Sequence, residues 1–144
     1  MSGSVLDLSA LCDAIESLAD GLEVVGDAVW FPAQTPKVRN TLIAGVIQNF
    51  EFVYEISVKM IKRRIELDAL SPAEVDRTNF RELLREAGEK GLIDDVEAWF
   101  VYRRMRNVTA HTYDHAKAMQ VYKDTLKFVE DARVLLARLE ARNV

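Results

Sequence analysis

The stretch PKVRNTLIAGVIQNFEFVYEISVKMIKRRIELD, residues 36 to 68, decides the fold. Its apolar residues recur mostly every three or four positions, which is the spacing of one side of an amphipathic helix. Thr35 is the predicted N-cap, with Pro36 in the first helical position. Such a helix is about 50 Å long, more than a compact monomer needs, so we expect it to bend or to contact a second subunit. The apolar positions are Val38, Leu42, Val46, Phe50, Val53, Ile56, Met60 and Ile65.

Four further helices are predicted from local signals. The sequence SPAE at 71 to 74 has the form of a capping box, and Gly88 and Gly91 are stop signals for the helix that follows it. The next segment opens with acids and closes with arginines, the polarity that the helix dipole favours. Asp114 can cap the last helix. The predicted ranges are 8–29, 72–89, 94–110 and 115–141.

The first and last of these helices each carry an apolar stripe that we expect to face the core. Together the five helices predict an all-α, up-and-down helical bundle, a four-helix bundle plus one extra helix, in a single domain over residues 1–144. The first stripe consists of Leu8, Leu11, Ile15, Leu18, Leu22, Val25 and Val29. The last consists of Met119, Tyr122, Leu126, Val129, Leu136 and Leu139.

Composition narrows the classes of function. The net charge of −4 argues against a dedicated binder of long nucleic acid, although basic runs at 59–64 and 100–115 could hold a short phosphate backbone. The single cysteine, Cys12, suits a reducing cytoplasm. Neither a secretory signal nor an apolar run long enough for a membrane span is found. We therefore expect a cytoplasmic protein that does not bind membranes.

Both histidines of the chain lie in RNVTAHTYDH, residues 106 to 115. On an unbroken helix Arg106 and His111 would point about 140° apart, but the β-branched residues and the turn-like HTYD favour fraying near His111. Histidine can move a proton at a ribose hydroxyl, and arginine can grip a phosphate. With Asn107 holding the phosphate or orienting the imidazole, this set suffices for metal-independent RNA cleavage.

Other kinds of site find little support in the residues. The chain has no glutamate three residues before a histidine, as di-metal bundles require, and no glycine-rich nucleotide loop. We therefore predict no metal and no cofactor. Residue chemistry alone also leaves a plain structural interpretation open, in which the arginines compensate a helix dipole and Tyr113 packs over the end of the bundle.

The spacing Arg106, His111, Tyr113 resembles the R-x4-H-x-Y signature of HepT-like toxins in the HEPN superfamily of helical ribonucleases. Three blocks also resemble the nucleotidyltransferase substrate-binding proteins, the same group under an older name: RNVTAHTYD, IQNFEFVYEISVK and FRELLREAGEKGLIDDVEAWF. The resemblance covers about residues 8 to 140. The chain departs from many relatives at Ser57 and Val58, where they carry an aromatic residue before the lysine.

This resemblance implies a homodimer whose Arg–His pairs face each other across a cleft and form a composite endoribonuclease site. It also implies a cognate minimal nucleotidyltransferase as antitoxin, which transfers AMP from ATP to Tyr113 and so blocks the site. Arg106 and His111, assisted by Asn107, are then the catalytic residues. The neighbouring Tyr102, Arg103 and Arg104 are candidate contacts for RNA or for the partner. No DNA substrate is expected.

Two alternatives remain at the level of sequence. The protein could be a non-catalytic adaptor that binds a nucleotidyltransferase and presents a substrate, with Arg106 and His111 shaping that interface. It could also be a purely structural helical dimer in which the motif is a capped corner.

Overall fold

The computed structural model describes residues 5–71, 73, 75, 79–109 and 115–143. Within that part of the chain the fold is all-helical, which confirms the predicted class: five α-helices, one short 3-10 turn at Phe31–Ala33, and no strand. No described helix is both long enough and apolar enough to cross a membrane. The helices are α1 (Ser9–Val25), α2 (Pro36–Asp68), α3 (Phe80–Glu89), α4 (Val96–Thr109) and α5 (His115–Arg142).

The long helix α2 spans the range predicted for it and contacts all four other helices. Its N-terminus is capped as expected: Thr35 is extended, with φ −64° and ψ 156°, and its Oγ1 accepts a hydrogen bond of 3.3 Å from the backbone N–H of Val38. Ser57 is fully buried and Val58 half-buried. The two positions at which this chain departs from the pattern of the resembled family therefore pack against the core.

Aromatic rings from three helices form the centre of the core. Phe50 of α2, Trp99 and Tyr102 of α4, and Phe128 of α5 are all at most 2% exposed. The Phe128 ring centroid lies 4.9 Å from that of Phe50 and 4.8 Å from that of Tyr102, in edge-to-face arrangements. Such pairs stabilise beyond their buried area. This cluster fixes α4, which carries Arg106 of the motif, against α2 and α5.

One predicted helix end is wrong and one predicted helix is interrupted, and a side chain that hydrogen-bonds the backbone explains each. The first helix ends at Val25 instead of residue 29, because the Asp27 carboxylate accepts hydrogen bonds from the N–H groups of Val29 and Trp30 and turns the chain. Val29 is consequently 84% exposed. The third predicted helix, 72–89, is interrupted at Asn79: residues 73 and 75 are helical, but Asn79 is extended and accepts from the N–H of Glu82 at 2.9 Å, which caps α3 at residue 80.

Pro72 and Glu74 of the predicted SPAE box lie outside the described residues, as does Asp114, the predicted cap of the last helix. The predicted stop of α3 is in place. Gly91 has a φ of +78°, a left-handed conformation that favours glycine, and the N–H of Leu92 donates to the carbonyl of Ala87 at 2.9 Å.

The predicted stripe of α5 is also wrong at one position. Leu126 is 47% exposed, whereas Thr125 is fully buried. Thr125 can enter the core because its hydroxyl donates to the carbonyl of Val121 at 2.7 Å, which satisfies the polar atom within the helix. The inward side of α5 consists of Val121, Thr125, Phe128, Val129, Ala132, Leu135 and Leu139.

The basic run at 59–64 is not a continuous surface strip. Arg64 is 2% exposed and donates to Asp68 at 2.9 Å and to the side-chain oxygen of Asn143 at 3.4 Å. The amide of Asn143 in turn bonds both backbone groups of Leu6, each at 2.9 Å. Arg64 is thus tied to the paired N-terminal and C-terminal segments of the chain and is unavailable to a phosphate backbone.

Candidate functional site

The C-terminal turn of α4 carries two of the predicted site residues, Arg106 and Asn107, and Arg106 contacts α2. Arg106 is half-buried and Asn107 exposed. The remaining residues of the motif, His111 and Tyr113, lie outside the described residues, which resume with α5 at His115. The described part of the candidate site is therefore the arginine end of the motif and its surroundings.

Arg106 makes a specific ion pair with α2. Its Nη2 and Nε both donate to Oε1 of Glu55, at 2.7 Å and 3.2 Å. The two side chains are 35% and 50% exposed. Two charge-assisted hydrogen bonds to one oxygen fix the direction of the guanidinium more closely than a single contact would. The carboxylate of Glu55 thus aims Arg106 at the solvent-facing seam between α2 and α4.

The electrostatics of this seam keep Arg106 charged. The hydrogen bonds to Glu55 raise the pKa of the guanidinium above its ordinary value, with the charges of Glu55 and Glu51 acting in the same direction. Nearby Tyr54 is buried, and its burial raises the pKa of its hydroxyl to about 12. Below pH 10 the phenol of Tyr54 is therefore neutral and Arg106 is a cation.

Arg103 and Arg104 lie on the same helix in different settings. The guanidinium of Arg103 stacks 4.2 Å above the ring centroid of Phe80, and Arg81 of α3 stacks 4.6 Å above Phe100 of α4. These reciprocal cation–π contacts hold α3 against α4. Arg104 is exposed. Both arginines remain candidates for contact with RNA, but Arg103 also has a structural role.

Tyr102 is a correction to the predicted set. It is 2% exposed, its ring belongs to the aromatic cluster of the core, and its hydroxyl donates to Oδ2 of Asp131 on α5. Burial and this hydrogen bond raise the pKa of the phenol. In the sequence, an aromatic residue next to arginines suggests a surface that contacts RNA. The helical periodicity of α4 instead turns the ring of Tyr102 towards the core.

Glu55 was missed by the sequence analysis. It lies in the block IQNFEFVYEISVK, but an acidic residue on the outer side of a helix carries no local sign that its partner is an arginine 51 residues away. The hydrophobic period of α2 does indicate that position 55 faces outward. Only the packing of α4 on α2 identifies what it faces.

The arrangement can bind an anion. A half-buried guanidinium can donate two parallel hydrogen bonds to phosphate oxygens, and exposed Lys59 lies one turn beyond Glu55 on α2. Among the described residues no three His, Cys, Asp or Glu side chains gather closely enough to hold a metal ion. The chemistry that Arg106 and Lys59 offer at this seam is the binding of a phosphate.

Known proteins share both the sequence and the fold of this chain. Residues 6–141 match the family model of proteins described as nucleotidyltransferase substrate binding protein like. A Haemophilus influenzae protein named Probable ribonuclease HepT is 45% identical over 138 residues, covering 96% of this chain and 94% of that protein. The chain also resembles a solved Haemophilus influenzae structure with the fold of a substrate binding domain of a nucleotidyltransferase. The TM-score is 0.91 at 44% identity, covering 93% of this chain and 99% of that one.

Proposed function

Because this chain belongs to the HepT-like family of nucleotidyltransferase substrate binding proteins, we propose that it is a metal-independent endoribonuclease and the toxin of a toxin–antitoxin pair. The observation that carries the proposal is the placement of Arg106. The arginine of the R-x4-H-x-Y motif is held at an accessible seam by Glu55, at the end of the helix that leads into the rest of the motif.

In the proposed reaction the ribose 2′-hydroxyl of RNA is the nucleophile. His111 takes its proton, the 2′-oxygen bonds to phosphorus, and the bond from phosphorus to the 5′-oxygen breaks. The leaving oxygen takes up a proton from an imidazolium, so the products are a cyclic phosphate and a 5′-hydroxyl. Arg106 neutralises the charge that develops on the phosphate oxygens, and Asn107 assists by holding the phosphate or orienting His111.

We propose that the active form is a homodimer with the two Arg–His pairs in one cleft, and that a minimal nucleotidyltransferase is the antitoxin. The phenol oxygen of Tyr113 would attack the α-phosphorus of ATP and release pyrophosphate, which leaves AMP on the tyrosine. The added phosphate is an anion two residues from His111, where it competes with RNA for Arg106.

The test is cleavage of RNA in the presence of EDTA by the wild type and by His111→Ala. We expect cleavage by the wild type alone, with the same helical circular dichroism for both proteins. Cleavage by a folded His111→Ala variant would overturn the assignment. If neither protein cleaves, the intact mass of the wild type decides: a mass increase equal to AMP indicates a silenced toxin.

The descriptions of the family and of the solved relative favour a second candidate, a non-catalytic adaptor that presents a substrate to a nucleotidyltransferase. The two candidates differ in their effect on growth. Expression without the nucleotidyltransferase should arrest the host if the protein is a toxin and should have no effect if it is an adaptor. An unmodified, inactive protein that does not arrest growth favours the adaptor.

A further inference from the structure

We propose that Phe52 is a stacking platform for an unpaired nucleobase, so that the substrate is bound as single-stranded RNA. The inference rests on the proposed function, because it takes Arg106 as the phosphate site. It adds a specificity-determining residue on α2, outside the R-x4-H-x-Y motif, and it names the class of RNA that the site accepts.

The exposure of Phe52 is the first observation. Its side chain is 50% exposed, between core residues Phe50 and Val53 that are fully buried. The other phenylalanines, all among the described residues, are buried or half-buried. Half of the surface of Phe52 is therefore accessible to a ligand. Covering it on binding would remove apolar area from water, which favours the bound state.

The second observation is its position. Phe52, Glu55 and Lys59 follow one another at steps of three and four on the outer side of α2, so their side chains form one row. Residues at this spacing have Cβ atoms about 5–6 Å apart. Glu55, the middle member, is the residue that holds Arg106. The open ring therefore lies one helical turn from the carboxylate that fixes the proposed phosphate clamp.

The third observation is the chemistry of the row. Proteins that bind single-stranded nucleic acid combine cations for the backbone with aromatic faces on which bases stack. Here Arg106 and exposed Lys59 supply the cations and Phe52 the face. A base inside a duplex has both faces covered by its neighbours and cannot stack on a side chain, whereas a base in a loop or single strand can. The arrangement selects an unpaired base beside the bound phosphate.

The test measures binding of a short, fluorescently labelled single-stranded 2′-O-methyl RNA by anisotropy. This probe cannot be cleaved through its 2′-oxygen, so binding is read whether or not the protein is a ribonuclease. We expect Phe52→Ala to weaken binding about tenfold and Phe52→Tyr to retain it, because tyrosine keeps the aromatic face. Phe52→Leu should resemble Phe52→Ala, since leucine keeps apolar volume but has no π-face.

The matched control is Leu126→Ala, which removes a side chain of similar exposure, 47%, from α5. It should leave binding unchanged. Equal affinity of Phe52→Ala and wild type overturns the inference, as does full binding by Phe52→Leu or failure of the wild type to bind the probe. The alternative is that a second copy of the chain packs on Phe52, and light scattering tests it. A lower oligomeric mass for Phe52→Ala than for the wild type would assign the ring to that contact and overturn the inference.

The outcome for Phe52 is separable from that of the proposed function. If the wild type cleaves RNA in EDTA but Phe52→Ala binds normally, the ribonuclease stands and the stacking platform is wrong. If Phe52→Ala loses binding while the wild type does not cleave unmodified RNA, the binding site stands and the ribonuclease is wrong.

Discussion

Arg106 on α4 and Glu55 on α2 form a two-donor ion pair in which a single carboxylate oxygen accepts from both Nη2 and Nε. The carboxylate occupies part of the guanidinium fork that would otherwise hold a phosphate. Because the pair is partly exposed, it is worth at most about 1 kcal/mol. Because so little stability is lost when the pair separates, a phosphate can take the place of Glu55 beside Arg106. Glu55 positions the arginine without blocking it.

Replacing Glu55 should separate turnover from binding. In Glu55→Gln the guanidinium loses its charged acceptor and its fixed direction, while the positive charge that attracts RNA is no longer balanced. We expect kcat for RNA cleavage to fall about tenfold and KM to fall as well. Steady-state kinetics on a defined RNA measures both constants.

The control for that prediction is Glu51→Gln. Glu51 adds to the negative charge around Arg106, whereas Glu55 makes the ion pair described above, so this variant changes the net charge equally and keeps that ion pair. Its kcat should stay close to that of the wild type. If the two variants lose kcat equally, charge alone explains the effect and a positioning role for Glu55 is excluded.

Tyr113→Phe should uncouple toxicity from its control. The variant lacks the phenol oxygen that would accept AMP, while Arg106 and His111 are unchanged. Coexpressed with the cognate nucleotidyltransferase, it should still arrest growth and show no mass increase, whereas the wild type is modified and harmless. Rescue of Tyr113→Phe by the partner would show that neutralisation does not require this tyrosine.

Tyr102→Phe should affect stability and leave activity unchanged. The change removes the hydroxyl that donates to Asp131, and the free energy of unfolding in urea should fall by about 1–2 kcal/mol. RNA cleavage should remain at the wild-type level because Tyr102 is buried. Tyr122→Phe is the control, since among the described residues the Tyr122 hydroxyl has no hydrogen-bond partner. A selective loss of cleavage in Tyr102→Phe would contradict the structural role.

Two glycine-to-alanine changes should have opposite effects on stability. A Cβ at Gly45, on the outer side of α2, meets open space, so Gly45→Ala should raise the free energy of unfolding by about 0.5–1 kcal/mol. A Cβ at Gly88 would lie 2.5 Å from Cγ2 of Val96. Overpacking costs about 1–3 kcal/mol, which outweighs the gain in helix propensity, so Gly88→Ala should destabilise. Thermal unfolding of both variants checks the signs.

Alkaline pH should destabilise the fold through its buried tyrosines. Burial raises the pKa of Tyr54 to about 12, whereas an unfolded tyrosine titrates near about 10. At pH values below the pKa of the unfolded tyrosine, the contribution of neutral Tyr54 to the free energy of unfolding is fully present. As the pH rises from about 10 towards 12, the unfolded chain loses its proton first, and the free energy of unfolding falls by up to about 1.4 kcal/mol per pH unit for each such tyrosine. Urea unfolding of Tyr54→Phe should show a shallower decline, and an unchanged slope would remove Tyr54 as its cause.

The predictable parts of the fold are those encoded by neighbours in sequence. The range of α2 follows from a long apolar period and a Thr-Pro start, and both signals are complete within the helix itself. The early end of α1 and the interruption before α3 arose where a short polar side chain, Asp27 or Asn79, offered the backbone an alternative hydrogen bond. Leu126 was misplaced because a threonine that bonds its own helix can be buried like an apolar residue.

The sequence by itself determined that the chain is a helical bundle and which polar motif stands out in it. Helix formation and the apolar period depend on residues three or four positions apart, and the motif is a matter of residue type and spacing. Only the tertiary structure decided that Tyr102 is buried, that Arg64 joins the chain ends and that Glu55 holds Arg106. These contacts join residues 29 to 79 positions apart, so they depend on how the helices pack and on nothing that either segment carries alone.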